Sequence, residues 1–246
     1  MLKGPSALLN FDQTLDTPTH VVGRCRNLNS PSIVSICVSK AKTVNWNGSE
    51  LATGIFKLPV EGKIIARTLN LEGDEQADLT VHGGADKAVY AYPVEQYSFW
   101  KAEMPERKFE WGSFGENLTT VGFDENSVCI GDRLRVGTAQ FVVTQPRMPC
   151  FKLGIRLGDP GMVRRFYKSG KWGFYLAVTE EGEIETGDQI ISEGGDGHRI
   201  TLADVAQCFI RPDVELLSRV LNSNLAAQMK DQLEYQHSKT RRRSSF

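Results

Sequence analysis

The feature that most limits the fold is a series of short segments, beginning at Ser32, that alternate apolar and polar residues or are rich in β-branched and aromatic side chains. Turn residues separate these segments, so we predict that each is a strand. Strands this frequent, with few helical blocks between them, favour a β-barrel or a β-sandwich. The predicted strands are SIVSICV (32–38), KIIART (63–68), KAVYAYP (87–93), SVCIGDRLRVG (127–137), AQFVVTQ (139–145), GFYLAVTEEG (173–182) and DQIISEGG (188–195).

Two central segments have the features of helices. VEQYSFWKAEM (94–104) follows Pro93, and DPGMVRRFYKSG (159–170) has Asp159 to cap its start and Gly170 to end it. Because these are the only helical blocks among the strands, we predict that this part of the chain is mainly β with some α.

The pattern changes after about Gly197, where helical periodicity replaces the short strands. TLADVAQCFI (201–210) begins with a Thr-x-x-Asp capping signature, and the segments 211–222 and 223–236 place apolar residues along one face. These three segments predict a small helical bundle appended to the β-rich part. Its apolar residues are most simply core, and only secondarily a surface for a partner.

Composition and charge limit the partners. Lysine and arginine total 29 and aspartate and glutamate 30, a formal net charge of −1, so the chain has no electrostatic footprint for nucleic acid. No run approaches the roughly 18–20 apolar residues that span a bilayer, and the N-terminus lacks the pattern of a signal peptide. The five cysteines form no C-x-x-C pair, which argues against a disulfide framework and a structural zinc site and favours a reducing cytosol.

The segment LEGDEQADLTVHGGADKAVYAYP (71–93) is the most unusual stretch of the chain, because His82 is followed by Gly83 and Gly84. Paired glycines let backbone N–H groups approach a ligand closely. A histidine beside such a turn can present its imidazole to an anion, or act as an acid, a base or a metal ligand. Composition alone favours a simpler interpretation, a tight turn with a hydrogen-bonded histidine and a solvated acidic loop.

Two further polar residues are weaker candidates. Asn117, in FGENL, has an amide that can pair with the edge of a heterocycle, although the segment also reads as a loop that leads into a strand. Lys57, in IFKLP, can bring positive charge to a phosphate, although a lysine near a strand end is usually just solvated. The chain has no P-loop, no G-x-G-x-x-G after a strand, and neither H-E-x-x-H nor G-x-S-x-G.

Cys150, in the segment QPRMPC, is the remaining candidate for chemistry. A cysteine acts as a nucleophile or soft-metal ligand only as the thiolate, which nearby positive charge favours, and Arg147 lies three residues before it. A thiolate suits a soft or high-valent metal better than magnesium or calcium. A single cysteine is nevertheless more often a small buried hydrophobe, so these residues alone leave both interpretations open.

The order of the segments TGIFK, LEGDEQAD, VHGG, KAVYAYP, FGENL, IGD and QPRMPC resembles the MOSC family, the domains related to the C-terminal part of molybdenum-cofactor sulfurases, and within it the YiiM-like group. The resemblance covers about residues 32–240. It implies a closed, mostly antiparallel β-barrel at 32–197, followed by a C-terminal three-helix domain at 198–246. Residues 1–31 would then be an N-terminal extension.

The resemblance also implies a site and a function. The family binds a molybdenum cofactor, a molybdopterin that bears a phosphate, and Cys150 matches the cysteine that ligates molybdenum. His82, Gly83 and Gly84 would line the cofactor pocket, and His82 would help to deliver a proton. Lys57, Asn117 and Arg147 are candidates for contacts to the phosphate or pterin.

The function implied by the family is the reduction of N-hydroxylated compounds such as 6-hydroxylaminopurine to amines. Since no flavin or nicotinamide motif is visible, electrons would come from a separate electron-transfer protein. The helical domain would contribute to substrate access, homodimer contacts or partner docking, and the location would be cytoplasmic. Two alternatives stay open: a carrier that holds cofactor or a persulfide on Cys150 without turnover, and a binding protein in which Cys150 is structural.

Overall fold

The computed structural model of the protein describes residues 30–77, 83–211 and 213–243. The strands are β1 (Ser32–Val38), β2 (Lys42–Trp46), β3 (Ser49–Thr53), β4 (Leu58–Val60), β5 (Ile64–Ala66), β6 (Val89–Pro93), β7 (Leu118–Val121), β8 (Arg133–Val136), β9 (Ala139–Pro146), β10 (Phe174–Glu180), β11 (Gly182–Ile184) and β12 (Ile190–Ser192). The α-helices are α1 (Val94–Glu103), α2 (Phe151–Leu157), α3 (Met162–Ser169), α4 (Leu202–Ile210), α5 (Val214–Leu221) and α6 (Ala227–Arg243).

The central element is an eight-stranded sheet in the order β12-β8-β9-β10-β6-β7-β1-β4, and two-stranded sheets pair β11 with β5 and β2 with β3. Every pair in the large sheet is antiparallel except β6 and β7, which are parallel. Six α-helices accompany these sheets within the described residues, so the fold is mixed α/β.

The predicted closed β-barrel is wrong. The sheet is open, with β12 and β4 at its two edges. Within the described residues, the start of β1 meets the segment that leads into β12 through an isolated bridge between Ser32 and Gln189 and a few backbone hydrogen bonds beside it, and these do not extend into a ladder of paired strands. The prediction that this part of the chain is mainly β is also wrong. Helices α1, α2 and α3 lie along the chain between strands of the large sheet, so the fold is mixed α/β.

The individual strand and helix predictions agree better with the structure. Each of the seven predicted strands overlaps an observed one, and SIVSICV coincides with β1. Both central helices form, and the second ends at Gly170 in the left-handed conformation. Asp159 does not cap that helix directly, since its N-cap is Gly161, whose N–H donates to Asp159 Oδ1. The sequence reasoning missed α2 and the β2–β3 hairpin.

Three helices follow the large sheet, as predicted. Helix α4 begins with a capping box, in which Asp204 N–H donates to the Thr201 hydroxyl and Thr201 N–H donates to the Asp204 carboxylate. Helix α6 reaches back to the sheet, where Ala226 N–H, just before the helix, donates to Thr144 O over 3.4 Å. The predicted domain boundary between 197 and 198 stays a prediction. The N-terminal extension lies almost entirely outside the described residues.

An aromatic cluster joins the sheet to the central helices. The rings of Trp100 from α1 and Phe166 from α3 stack with centroids 5.5 Å apart, and Phe114 contacts both. All three side chains are fully buried. Tyr92 of β6 contacts both phenylalanine rings. Because buried aromatic rings dominate the energetics of a core, this cluster holds α1 and α3 against strand β6. Among the described residues, no helix is long and apolar enough to cross a membrane.

Candidate functional site

Four of the sequence-predicted site residues meet in one cleft, which we call the first cleft. Lys57, Asn117, Arg147 and Cys150 come from three separate parts of the chain, since Arg147 and Cys150 share the loop after β9, yet all four line this cleft of about 80 Å³. The other lining residues are Thr53, Gly54, Ile55, Asp74, Glu75, Gln76, Ala77, Lys87, Tyr90, Gly115, Lys152 and Tyr175.

Cys150 lies where the end of a strand turns into a helix. Strand β9 ends at Pro146, and Cys150 is the N-cap of α2, with Leu153 N–H donating to Cys150 O over 3.0 Å. The Cys150 side chain is partly exposed, whereas the other three described cysteines, Cys37, Cys129 and Cys208, are buried. Among the described cysteines, therefore, Cys150 is the thiol that a ligand in the cleft can reach.

Arg147 carries a buried positive charge beside this thiol. Its side chain is only 7% exposed, and its guanidinium carbon lies 4.7 Å from the centroid of the Tyr90 ring. The Tyr90 hydroxyl is fixed by donating to Trp172 O over 2.8 Å. Arg147 Nη1 is buried without a hydrogen-bond partner among the described residues. Buried polar groups are nearly always paired in native proteins, so this atom indicates a ligand with an acceptor group.

Lys57 forms a buried ion pair. Its Nζ lies 2.5 Å from each carboxylate oxygen of Asp74, and the two residues are 7% and 3% exposed. Burial lowers the pKa of Lys57, and the attraction of Asp74 opposes this only in part. Because the positive charge is already paired within the protein, Lys57 is a weaker candidate for binding a phosphate than its position suggests.

Asn117 is occupied within the protein. Its Oδ1 accepts the N–H of Tyr90 over 3.1 Å, and its Nδ2 donates to Cys37 O and to Asp74 Oδ2 over 3.2 and 3.0 Å. Both Nδ2 hydrogens are therefore used, so the predicted pairing of this amide with a pterin edge has little support. Its position suits a different role, which is to hold Asp74 and β6 in place at the cleft.

The loop before Asn117 is held by a buried carboxylate that sequence reasoning missed. Glu116 is fully buried and accepts N–H groups from Gly112 and Phe114 over 2.8 and 3.0 Å, and the hydroxyl of Tyr97. Gly115 has φ +81°, and a Cβ there would lie 2.7 Å from Ile55 Cγ1. Only glycine fits this position without strain, so the FGENL motif is explained by the backbone path of the cleft wall.

The VHGG motif is only partly described. His82 lies outside the described residues, so its predicted roles as proton donor and pocket residue stay predictions. Gly84 adopts φ +95° at the start of a short 3-10 helix, Ala85–Lys87. Neither Gly83 nor Gly84 lines the first cleft, and their predicted contact with the cofactor also stays a prediction. The residue of this short helix that lines the first cleft is Lys87.

A second cleft also borders Cys150 and is lined by that loop and by helix α6. Cys150, Lys87 and Tyr175 line both clefts. The second cleft has a volume of about 130 Å³. Its other lining residues are Gln145, Met148, Pro149, Gln228, Met229 and Gln232. Gln145, Met148 and Pro149 belong to the QPRMPC segment, whereas no motif in the sequence pointed to Gln228, Met229 and Gln232, which lie on a helix about 80 positions later.

The unpaired charge of the first cleft is positive. Arg147 and Lys152 line it and form no ion pair within the described residues. Glu75, at its edge, is paired with Lys40 over 3.0 Å. Burial raises the pKa of Tyr175, although the charge of Arg147 partly offsets this, so the phenol stays neutral. The cleft can therefore bind an anion beside a thiol.

The described residues contain no group of three or more histidine, cysteine, aspartate or glutamate side chains that could hold a metal ion. Protein metal sites usually draw three or four ligands from the chain. Among the described residues, the first cleft instead offers Cys150 as its one thiol. This donor set, with one soft thiol and a nearby anion site, fits a metal carried by a phosphorylated dithiolene.

Comparison with known proteins gives the family. The MOSC domain model matches residues 78–191. An uncharacterized protein, YflK of Bacillus subtilis, is 38% identical over 193 residues, which are 78% of this chain and 87% of that protein. Protein YiiM of Escherichia coli is 40% identical over 134 residues, 54% of this chain and 60% of that protein.

A solved structure and a further relative are also similar to this chain. The crystal structure of YiiM from Geobacillus stearothermophilus superposes with a TM-score of 0.70 at 29% identity and covers 83% of this chain and 98% of that one. A protein named "Reductase" from Gibberella moniliformis is 35% identical over 146 residues, 58% of this chain but only 26% of that protein. The chain therefore belongs to the MOSC domain family, as a YiiM-like member, and the predicted resemblance is confirmed.

Proposed function

We propose that the protein is a molybdenum-cofactor-dependent reductase of N-hydroxylated compounds. The observation that carries this proposal is the juxtaposition, in one cleft, of the accessible Cys150 thiol and the buried Arg147 guanidinium with an unpartnered Nη1. A thiol is suited to a soft metal centre, and a guanidinium is suited to a phosphate. MOSC domains are associated with the molybdenum cofactor, and one relative is named a reductase.

In this proposal each residue of the first cleft has a separate task. Cys150 would hold the metal of the cofactor through its sulfur. Arg147 and Lys152 would bind the phosphate, since both are cationic and neither has an acidic partner among the described residues. The Lys57–Asp74 pair and Asn117 would keep the opposite wall in place. When bound, the cofactor would supply the two-electron chemistry that removes oxygen from nitrogen.

The overall reaction converts an N-hydroxylated amine, two electrons and two protons into the amine and water. The electrons would come from a separate electron-transfer protein. The protons have to be supplied near the departing oxygen, and His82 is the proposed donor. Lys87 and Tyr175 line both clefts, so they are well positioned to orient the hydroxylated nitrogen.

The proposal is tested with full-length protein purified from a host that makes the cofactor. Molybdenum and pterin are measured for each mole of protein, and turnover of 6-hydroxylaminopurine is followed with an artificial electron donor. Cys150→Ser is expected to lose both bound molybdenum and turnover. The control is Cys208→Ala, which removes a buried thiol that lines neither cleft and is expected to keep both.

Two outcomes would contradict the proposal. Full activity of Cys150→Ser would show that the thiol is not the working ligand. If the wild-type protein binds molybdenum but turns over no N-hydroxylated compound, a carrier of cofactor becomes the better description. A persulfide on Cys150, detected by mass spectrometry of the intact protein, would instead favour a carrier of sulfur.

A further inference from the structure

The second cleft shares Cys150, Lys87 and Tyr175 with the cationic first cleft, but the rest of its lining has a different chemistry. Its lining contains three glutamines, two methionines and a proline, with Lys87 as the one charged residue among the described lining. Glutamine amides supply both donors and acceptors, and methionine thioethers pack well against flat rings. The cleft is therefore suited to a neutral, planar molecule with a polar edge, not to a second anion.

Gln145 is the most informative residue of this cleft. It is 3% exposed, and its Oε1 is buried without a hydrogen-bond partner among the described residues. It stands directly opposite Tyr175 in the β9–β10 ladder, two residues before Arg147. An acceptor held in the wall of a cleft without a donor indicates that the ligand brings an N–H or O–H group to it.

Helix α6 forms the opposite wall and is anchored to the site. Lys87 Nζ donates to Gln228 Oε1 over 2.6 Å, which leaves the Gln228 amide nitrogen as its donor group. Ala226 N–H donates to Thr144 O, in the strand residue next to Gln145. Gln232 follows one turn after Gln228 on the same helix. The C-terminal helix therefore contributes directly to the space beside the thiol.

We propose that the second cleft is the substrate-binding site, that it takes neutral planar nitrogen heterocycles, and that Gln145 determines specificity by accepting a ring N–H through Oε1. Gln228 and Gln232 donate to ring nitrogens from the α6 side, and Met148 and Met229 contact the faces of the ring. This inference rests on the proposed function for the reaction that follows binding. It assigns to the helical segment the role of substrate recognition.

The test compares two substrates with the same N–O bond. 6-Hydroxylaminopurine has a ring edge with N–H groups, and N-phenylhydroxylamine has none on its ring. Gln145→Met keeps the length of the side chain and removes the acceptor. For this variant, KM for 6-hydroxylaminopurine should rise about tenfold, the effect of one lost hydrogen bond. Its kcat, and both constants for N-phenylhydroxylamine, should stay within about twofold of the wild type.

The control variant is Gln140→Met, which makes the same change in the same strand at a residue that lines neither cleft. Binding of adenine to the full-length protein, measured by calorimetry, provides a readout independent of turnover. Gln145→Met should weaken it about tenfold, and Gln140→Met should not change it. Molybdenum content and thermal midpoint should be alike in all three proteins.

The possible results separate the two proposals. If turnover occurs but neither KM nor adenine binding depends on Gln145, the substrate site is elsewhere and only the proposed function stands. An equal loss with both substrates would also overturn the recognition role, because N-phenylhydroxylamine has no ring N–H to lose. If adenine binds in a Gln145-dependent way but no N-hydroxylated compound is reduced, the binding site stands and the proposed function fails.

Discussion

The buried pair of Lys57 and Asp74 gives a sharp prediction about what holds the first cleft together. Asp74 accepts from Lys57 Nζ, from Ser39 N–H over 2.9 Å and from Asn117 Nδ2 over 3.0 Å. In Asp74→Asn, the new amide can still accept from Ser39. It cannot neutralise Lys57, and its NH₂ group faces donors that need an acceptor.

The expected cost follows from this geometry. Removing one partner of a buried, hydrogen-bonded ion pair typically destabilises a protein by about 3–5 kcal/mol, since the other charge is left buried and unpaired. That is a large share of the roughly 5–15 kcal/mol by which a domain is stable. Lys57→Met should also destabilise, because the Asp74 carboxylate then retains only the Ser39 and Asn117 donors.

A double-mutant cycle measures the coupling between the two residues. The cycle compares Lys57→Met and Asp74→Leu, each made singly, with the variant that carries both. The double variant replaces the pair by apolar side chains of similar size, so its loss of stability should be at least about 2 kcal/mol smaller than the sum of the two single losses. The free energy of unfolding is measured by urea denaturation with tryptophan fluorescence, and the slope against urea should stay constant.

Glu183→Gln is the matched control, because Lys63 and Glu183 form an ion pair of 2.7 Å whose side chains are 64% and 51% exposed. Solvent screens such a pair, so the loss should be far smaller than for Asp74→Asn. Costs that add within about 0.5 kcal/mol in the cycle, or equal losses for the buried and exposed pairs, would refute the reasoning.

Two further predictions concern other titrating groups. Burial raises the pKa of Glu125 above its usual value, so the folded state binds this proton more tightly than the unfolded chain. The free energy of unfolding should therefore fall as pH rises above about 4.5. In Glu125→Gln, whose amide oxygen can still accept from Gly173 N–H, urea denaturation should show a free energy of unfolding that depends less on pH in this range. Iodoacetamide at pH 8 should alkylate Cys150 before Cys37, because burial raises the pKa of the Cys37 thiol to about 12. The order is measured by peptide mass spectrometry, and earlier modification of Cys37 would contradict the burial assigned to that residue.

Local structure was predictable where the signal is local. Alternating residues define β1 and β9, the Thr201 capping box begins α4, and Gly170 ends α3. Helix α2 was missed because FKLGIRL is only seven residues long and contains a glycine. The open sheet was also missed. Alternation shows that a segment is a strand, but the pairing of the first and last strands depends on contacts far apart in sequence.

The site was predictable in part for the same reason. Lys57, Asn117, Arg147 and Cys150, which the motif order assigned to one site, line one cleft although they are separated by up to 93 positions, and their contacts with a cofactor stay predictions. What each side chain does depends on neighbours that the sequence does not show. Asp74, which read as one acid of a solvated loop, pairs with Lys57 and accepts one of the hydrogen bonds that Asn117 donates.

Gln145 begins the QPRMPC segment, but the sequence assigned it no role, because a glutamine near the end of a strand is an ordinary polar position in an alternating pattern. In the fold, its side-chain oxygen is a buried acceptor in a cleft that Cys150 and residues of α6 also line. Its significance therefore depends on a tertiary contact between elements about 80 residues apart, and no local rule predicts such a contact.

The measurement that tests the central claim most directly is X-ray absorption at the molybdenum edge of the purified, cofactor-loaded protein. Since Cys150→Ser is expected to lose the metal on purification, it is reconstituted with excess cofactor before the measurement. If Cys150 holds the metal, the wild-type spectrum, normalised per molybdenum atom, should show one more sulfur neighbour than the spectrum of this reconstituted variant, and Cys208→Ala should match the wild type. Identical sulfur counts in the wild type and Cys150→Ser would contradict the account, because the metal would then be held without this thiol.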